Sequence, residues 1–154
     1  MALRVGDKIP SFKAKNTYGE DFDIENILGK KSLVIYFYPK DNTSICTAEA
    51  CRFRDQYEVF TDLGAEVIGI SSDSVDSHKN FAKEHNLPFI LLSDNDKKIR
   101  TLFGVPSALF GLLPGRVTYV VDKKGIIKMI FNSMKGDNHI LKALESIKQI
   151  SLTE

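Results

Sequence analysis

Three apolar runs of strand length, Ser32–Tyr38, Ala65–Ser71 and Phe89–Leu92, are separated by two segments with helical spacing. This alternation constrains the chain more than any other feature. The first run, SLVIYFY, is β-branched and aromatic, with Gly29, Lys30 and Lys31 before it and Pro39 after it, as befits a strand buried on both faces. A chain that returns to such strands through helices builds βαβ units with parallel pairing. The first helical segment runs from about Ser44 to Leu63, with Ile45, Ala48, Phe53, Tyr57 and Phe60 on one side and Gly64 as its stop. The second spans Val75 to Asn86, with Ser74 or Asp76 at its start.

Antiparallel pieces flank this centre. Asn16–Gly19 (NTYG) forms a turn inside a small hairpin across residues 10–24, and Asp122–Gly125 (DKKG) joins the runs RVTYVVD (116–122) and IIKMIFN (126–132). A short helix over 96–103 and a last one over 138–150 complete the pattern, the latter carrying Ile140, Leu141, Leu144, Ile147 and Ile150 at helical spacing. The expected fold is therefore α/β: a central mixed sheet flanked by helices, with an N-terminal β-hairpin extension. The loop 104–115 interrupts the alternation with Leu109, Phe110, Leu112 and Leu113, which suit either a border of the active site or a segment packed on the core.

A length of 154 residues suits one domain over residues 1–154. Lys plus Arg number 21 against 20 Asp plus Glu, a net +1 without a basic block, so neither nucleic acid nor an anionic membrane is an expected partner. The N-terminus lacks the apolar stretch of a secretory signal, and LVIYFY (33–38) falls far short of the ~20 residues that span a bilayer. Only 2 cysteines occur, too few for a disulfide-built secreted scaffold. A cytoplasmic location is expected, with a plastid as the alternative if a transit peptide has been removed.

Those cysteines carry the most chemistry. Cys46 falls in the first turn of the first predicted helix, where free N–H groups and the positive helix end favour a thiolate. An ordinary thiol with a pKa of about 8.5 is only ~3% ionised at pH 7, so lowering it to about 6 multiplies the nucleophile about thirtyfold. Cys51 lies five residues on. In an intact helix that spacing rises about 7.5 Å along the axis, beyond the roughly 4.4 to 6.8 Å Cα separation of a disulfide, so a bond between the two requires local unwinding. On spacing alone, two buried structural cysteines fit equally well. A metal site is not expected, because His78, His85 and His139 show no paired ligand spacing.

The segment Pro39-Lys-Asp-Asn-Thr43-Ser-Ile-Cys46 resembles the P-x-x-x-T-x-x-C active-site signature of the peroxiredoxins. The continuation CTAEACRFRD, the GAEVIGIS strand and LPGRVTYVVD are similar to the Q-type branch, also called the bacterioferritin comigratory protein family, in its atypical two-cysteine form. The resemblance runs from about residue 3 to 150 and implies a thioredoxin-like fold. It implies that Cys46 is the peroxidatic cysteine, attacking the peroxide O–O bond to give a sulfenic acid, and Cys51 the resolving cysteine. Thr43 is implied to position the peroxide, Pro39 to shield the thiolate, Arg116 to stabilise it and Glu49 to orient Arg116. Where many relatives have Pro-Gly before the first cysteine, this chain has Ser44-Ile45, which adds bulk at a mobile turn.

The expected activity is that of a thiol peroxidase, reducing hydrogen peroxide and organic hydroperoxides and recycled by thioredoxin or a similar dithiol protein. No metal, haem, flavin or other cofactor is expected, and the chain is read as a monomer. Two other functions fit the fold: a disulfide oxidoreductase acting on proteins, which would normally carry C-x-x-C, and a binding module without catalysis.

Overall fold

The computed structural model describes residues 2–107, 111 and 114–153. Leu109, Phe110, Leu112 and Leu113, the apolar loop residues named above, lie outside them. In chain order the elements are β1 (Lys13–Lys15), β2 (Asp21–Asp23), a 3-10 turn (Ile24–Asn26), β3 (Ser32–Phe37), α1 (Ser44–Asp62), β4 (Ala65–Ser71) and α2 (Val75–His85). Then follow β5 (Ile90–Ser93), α3 (Lys98–Phe103), β6 (Val117–Val121), β7 (Ile127–Asn132) and α4 (His139–Thr153).

The strands form one sheet in the order β2-β1-β5-β4-β3-β6-β7. β3, β4 and β5 pair in parallel, the product of the two βαβ units. β6 and β7 add antiparallel strands at one end, and the β1–β2 hairpin joins the other end through Lys15 opposite Ser93. The sheet is therefore mixed, as the order of segments predicts.

β3 is buried throughout, and its two faces feed two cores. Val34 and Tyr36 pack with Phe53 and Phe60 of α1, Phe81 of α2 and Ile147 of α4. Leu33, Ile35 and Phe37 pack with Phe12, Phe103 and Tyr119. This is the period of two expected of a central strand covered on both sides. Gly69 of β4 makes room for the larger of these rings. A Cβ there would sit 2.9 Å from the Tyr36 ring and 2.8 Å from Leu91, whereas its absence lets Tyr36 stack on Phe53 at 4.5 Å between centroids.

α1 ends as its sequence dictates. The Leu63 N–H reaches back to the carbonyls of Val59 and Phe60, and Gly64 turns the chain with φ +79°. The inward face of the helix differs from the expected one. Cys46, Glu49, Ala50, Phe53 and Phe60 are buried, while Ile45 is 49% exposed and Ala48 is also exposed. Hydropathy spacing puts Ile45 and Ala48 inside because it counts Glu49 as a surface residue. In the fold, Glu49 has a buried cationic partner and turns inward.

Candidate active site

β3 ends against a short loop, Pro39–Thr43, that hands the chain to α1. The loop is pinned by Asp41, which is only 4% exposed. The Tyr38 hydroxyl donates to Asp41 Oδ1 at 2.6 Å, Ser77 Oγ donates to Oδ2 at 2.9 Å, and His78 Nδ1 lies 2.7 Å from Oδ2. The Asp41 N–H in turn donates to Asp73 Oδ2 at 2.8 Å. Asn42 takes the left-handed conformation with φ 63°, which side chains of this type tolerate, and so sharpens the turn into the helix.

Thr43 is the N-cap residue of α1, and its hydroxyl does not cap the helix. Its Oγ1 donates to the Lys40 carbonyl at 2.9 Å, which commits the proton and leaves lone pairs toward the exposed side. Pro39 is half-buried at the end of the strand. Three residues on from Thr43, Cys46 lies in the first turn with its thiol free and only 1% of its surface exposed.

Arg116 reaches Cys46 from the residue just before β6 and is itself 2% exposed. Its Nη2 donates to Cys46 Sγ at 3.2 Å, its Nη1 to Glu49 Oε1 at 2.5 Å and its Nε to the Met134 carbonyl at 3.0 Å. All three sides of the fork are therefore occupied. Burial acts against the Arg116 cation, but Glu49 and Cys46 outweigh it and raise its pKa above the ordinary value.

Glu49 is fully buried. Its Oε1 takes the arginine, while Oε2 has no hydrogen-bond partner. Burial pushes the carboxyl up to about 7 despite the pull of Arg116. His139 Nδ1 lies 3.6 Å from Oε2. That nitrogen is occupied: it lies 2.7 Å from Thr118 Oγ1, and Nε2 donates to the Ser133 carbonyl at 2.9 Å. Burial lowers the pKa of His139, so the ring is neutral and accepts from Thr118.

A second buried arginine frames the site. Arg100 donates from Nη1 to the Gly115 carbonyl at 3.1 Å and from Nη2 to the Tyr38 carbonyl at 3.3 Å. It thereby ties the backbone before Arg116 to the backbone before Pro39. Gly115 is obligatory here, because a Cβ on it would collide with the Pro106 carbonyl oxygen.

The structure thus puts Arg116 in direct contact with both Cys46 and Glu49, with Pro39 and Thr43 on the loop leading to the thiol. Cys51 stands apart, half-buried on the unbroken α1 helix, with its Sγ 4.0 Å from His85 Nδ1. Asp41, Arg100, His85 and His139 are not singled out by the sequence. Each acts through a partner distant along the chain, and the D-N pair before Thr43, of residue types common in tight turns, is the local signal that could have pointed to Asp41. Among the described residues, Asp41, Asp73 and His78 group their ligand-type atoms within 4.8 Å. Those atoms already serve the hydrogen bonds of the loop, with Ser71 Oγ also donating to Asp73 Oδ2 at 2.6 Å.

Residues 5–130 match the AhpC/TSA family. Peroxiredoxin Q, chloroplastic, of Sedum lineare is 50% identical over 147 residues, covering 93% of this chain and 78% of its own. The protein of the same name from Populus jackii is 51% identical over 146 residues, covering 92% and 68%. Among solved structures, peroxidoxin BcpB from Mycobacterium tuberculosis superposes with a TM-score of 0.88 at 32% identity, covering 96% of this chain and 98% of that one. A bacterioferritin comigratory protein from Xanthomonas campestris, described for its alkyl peroxide reduction activity, gives 0.84 at 27% identity, covering 94% and 99%.

Proposed function

The chain belongs to the AhpC/TSA family as a peroxiredoxin of the Q type with a thioredoxin-like fold, a thiol-dependent peroxidase, and on that premise we propose how its own residues do the work. Cys46 is the nucleophile. Its thiolate attacks the terminal oxygen of a hydroperoxide, the O–O bond breaks, and the departing oxygen takes a proton to leave as water or an alcohol. Cys46 is left as a sulfenic acid.

The observation that carries this reading is the Arg116 contact with Cys46 Sγ at 3.2 Å inside a buried site. A guanidinium donating to sulfur favours the anionic nucleophile and lies next to the oxygens where charge develops. Glu49 and the Met134 carbonyl hold the fork so that one N–H is aimed at the thiol. Thr43 acts as an acceptor for the peroxide O–H, since its own proton is committed to Lys40. Pro39 limits water at the mouth of the site.

Cys51 then attacks the sulfenic sulfur, and a Cys46–Cys51 disulfide forms with loss of water. Both residues belong to the intact α1 helix, so its first turns open for this step and close again after reduction. Thioredoxin or a similar dithiol protein supplies the two electrons, entering at the half-buried Cys51. The chloroplast location in the names of the plant relatives supports the plastid alternative and gives none to the cytoplasm. Among the described residues, no helix is long and apolar enough to cross a membrane.

Steady-state turnover with thioredoxin, its reductase and NADPH tests the assignment. Cys46→Ser is expected to abolish peroxide consumption, whereas Cys51→Ser is expected to retain one stoichiometric turnover and lose recycling. Full turnover by Cys46→Ser would overturn the reading.

A further inference from the structure

His85 is the last residue of α2, held through its ring and through its backbone carbonyl. The Phe81 ring meets the imidazole edge-on at 5.1 Å, one turn earlier on the same helix. Arg54 Nη1 of α1 donates to the His85 carbonyl at 2.9 Å, occupying one of the carbonyls a helix end leaves unpaired. Cys51 Sγ lies 4.0 Å from Nδ1, the outer limit of an S–H···N contact. Cys51 and His85 are both half-buried, so the ring faces the thiol on one side and solvent is within reach for a proton.

We propose that His85 is the general base of the resolving step, taking the proton of Cys51 as that thiol attacks the oxidised Cys46. This deepens the peroxidase reading and rests on its Cys46–Cys51 disulfide. The need arises from the chemistry: the thiolate, not the thiol, attacks sulfur, and an unassisted thiol is only ~3% ionised at pH 7. With the ring hydrogen on Nε2, Nδ1 presents its lone pair to Cys51. The S–H proton passes to Nδ1, the Cys51 lone pair forms the S–S bond, and the S–O bond of the sulfenic acid breaks. Hydroxide leaves with that electron pair and takes up the proton, giving water. Cys51 is oxidised, the Cys46 sulfur is reduced to the disulfide level, and no further reagent is consumed. Among the described residues, the charged neighbours of His85 include Arg54 of α1, which holds its carbonyl and also pairs with Asp55 at 3.0 Å, and the exposed Lys83 and Glu84 beside it on α2. None of them is a base held against Cys51.

Stopped-flow oxidation by hydrogen peroxide separates the two steps, and His85→Gln and His85→Asn are run side by side so that a folding defect in one leaves the other to decide. The first phase, sulfenic acid formation at Cys46, is expected to be unchanged in both. The second phase, disulfide closure, is expected to slow about tenfold at pH 7 and to converge with the wild type at about pH 9, where a free thiol ionises unaided. An unaltered second phase, or one slowed by the same factor at every pH, would overturn the role of His85 while leaving the disulfide intact. Absence of a Cys46–Cys51 disulfide in the wild type would overturn the resolving mechanism itself, and this role with it.

Discussion

Arg116 donates from Nη2 to Cys46 Sγ at 3.2 Å, although the two residues are 70 positions apart, and neither is more than 2% exposed. The pairing depends on two backbones meeting: the residue before β6 and the first turn of α1. Arg116→Lys keeps the charge but cannot satisfy Sγ, Glu49 and the Met134 carbonyl at once. Loss of one charge-assisted hydrogen bond to Cys46 Sγ is expected to slow Cys46 oxidation roughly ten- to a hundredfold. Arg116→Met is expected to slow it further, and single-turnover kinetics with hydrogen peroxide read both.

Glu49 makes stability depend on pH. A glutamate titrates near 4.5 in the unfolded chain and at about 7 in this fold. Between those values the unfolded chain has released its proton and the folded chain retains it, so stability falls as pH rises from about 4.5 to about 7 and levels off above. The fall amounts to at most about 3 kcal/mol. The neutral, buried His139 contributes the opposite slope below 6.5, so the effect of Glu49 is read from the difference between wild type and Glu49→Gln in urea titrations across this range. The variant is expected to lack the Glu49 component of the fall.

Gly115→Ala drives a methyl into the Pro106 carbonyl oxygen and displaces the backbone that Arg100 holds. A loss of about 1 to 3 kcal/mol in stability is expected, together with slower peroxide reduction as Arg116 moves with its neighbour. Urea denaturation and single-turnover kinetics measure the two effects separately.

Gly136→Ala acts on the opening of α1. A Cβ at Gly136 would lie 3.0 Å from Ile45 Cγ2 and 3.3 Å from the Ile45 carbonyl, so Ile45 in the first turn, or the loop that holds Gly136, must shift by a few tenths of an ångström. Weakening the closed form by ~1 kcal/mol shifts the opening equilibrium about fivefold. On the proposed mechanism, disulfide closure is expected to accelerate and peroxide attack at the closed helix to slow; rapid-mixing kinetics resolve the two phases.

The sheet was legible in the sequence because its strands are short apolar runs between punctuation residues. Ser32–Phe37 and Ala65–Ser71 are buried along their whole length, and Gly64 ends α1 as its position suggests. The geometry around the thiol was less so. Cys46, Thr43 and Pro39 sit within one local segment, whereas the inward turn of Glu49 depends on Arg116, a partner that hydropathy does not register. The same blindness put Ile45 inside, where it is half exposed. Asp41 and Arg100 look like ordinary loop and helix charges until the fold sets Asp41 against Tyr38 and His78, and Arg100 against Gly115. His85 shows no ligand-like spacing to Cys51, because the two residues sit on different helices and meet only once the chain is folded.

The central claim is that Cys46 attacks peroxide and that α1 then opens to let Cys51 capture it. Mixing reduced protein with one equivalent of hydrogen peroxide, and mapping the product by mass spectrometry, tests both halves together. The expected result is oxidation far faster than that of free cysteine, ending in an intramolecular Cys46–Cys51 disulfide. Two intact thiols, or a Cys46 that stays a sulfenic acid while Cys51 remains reduced, would contradict it.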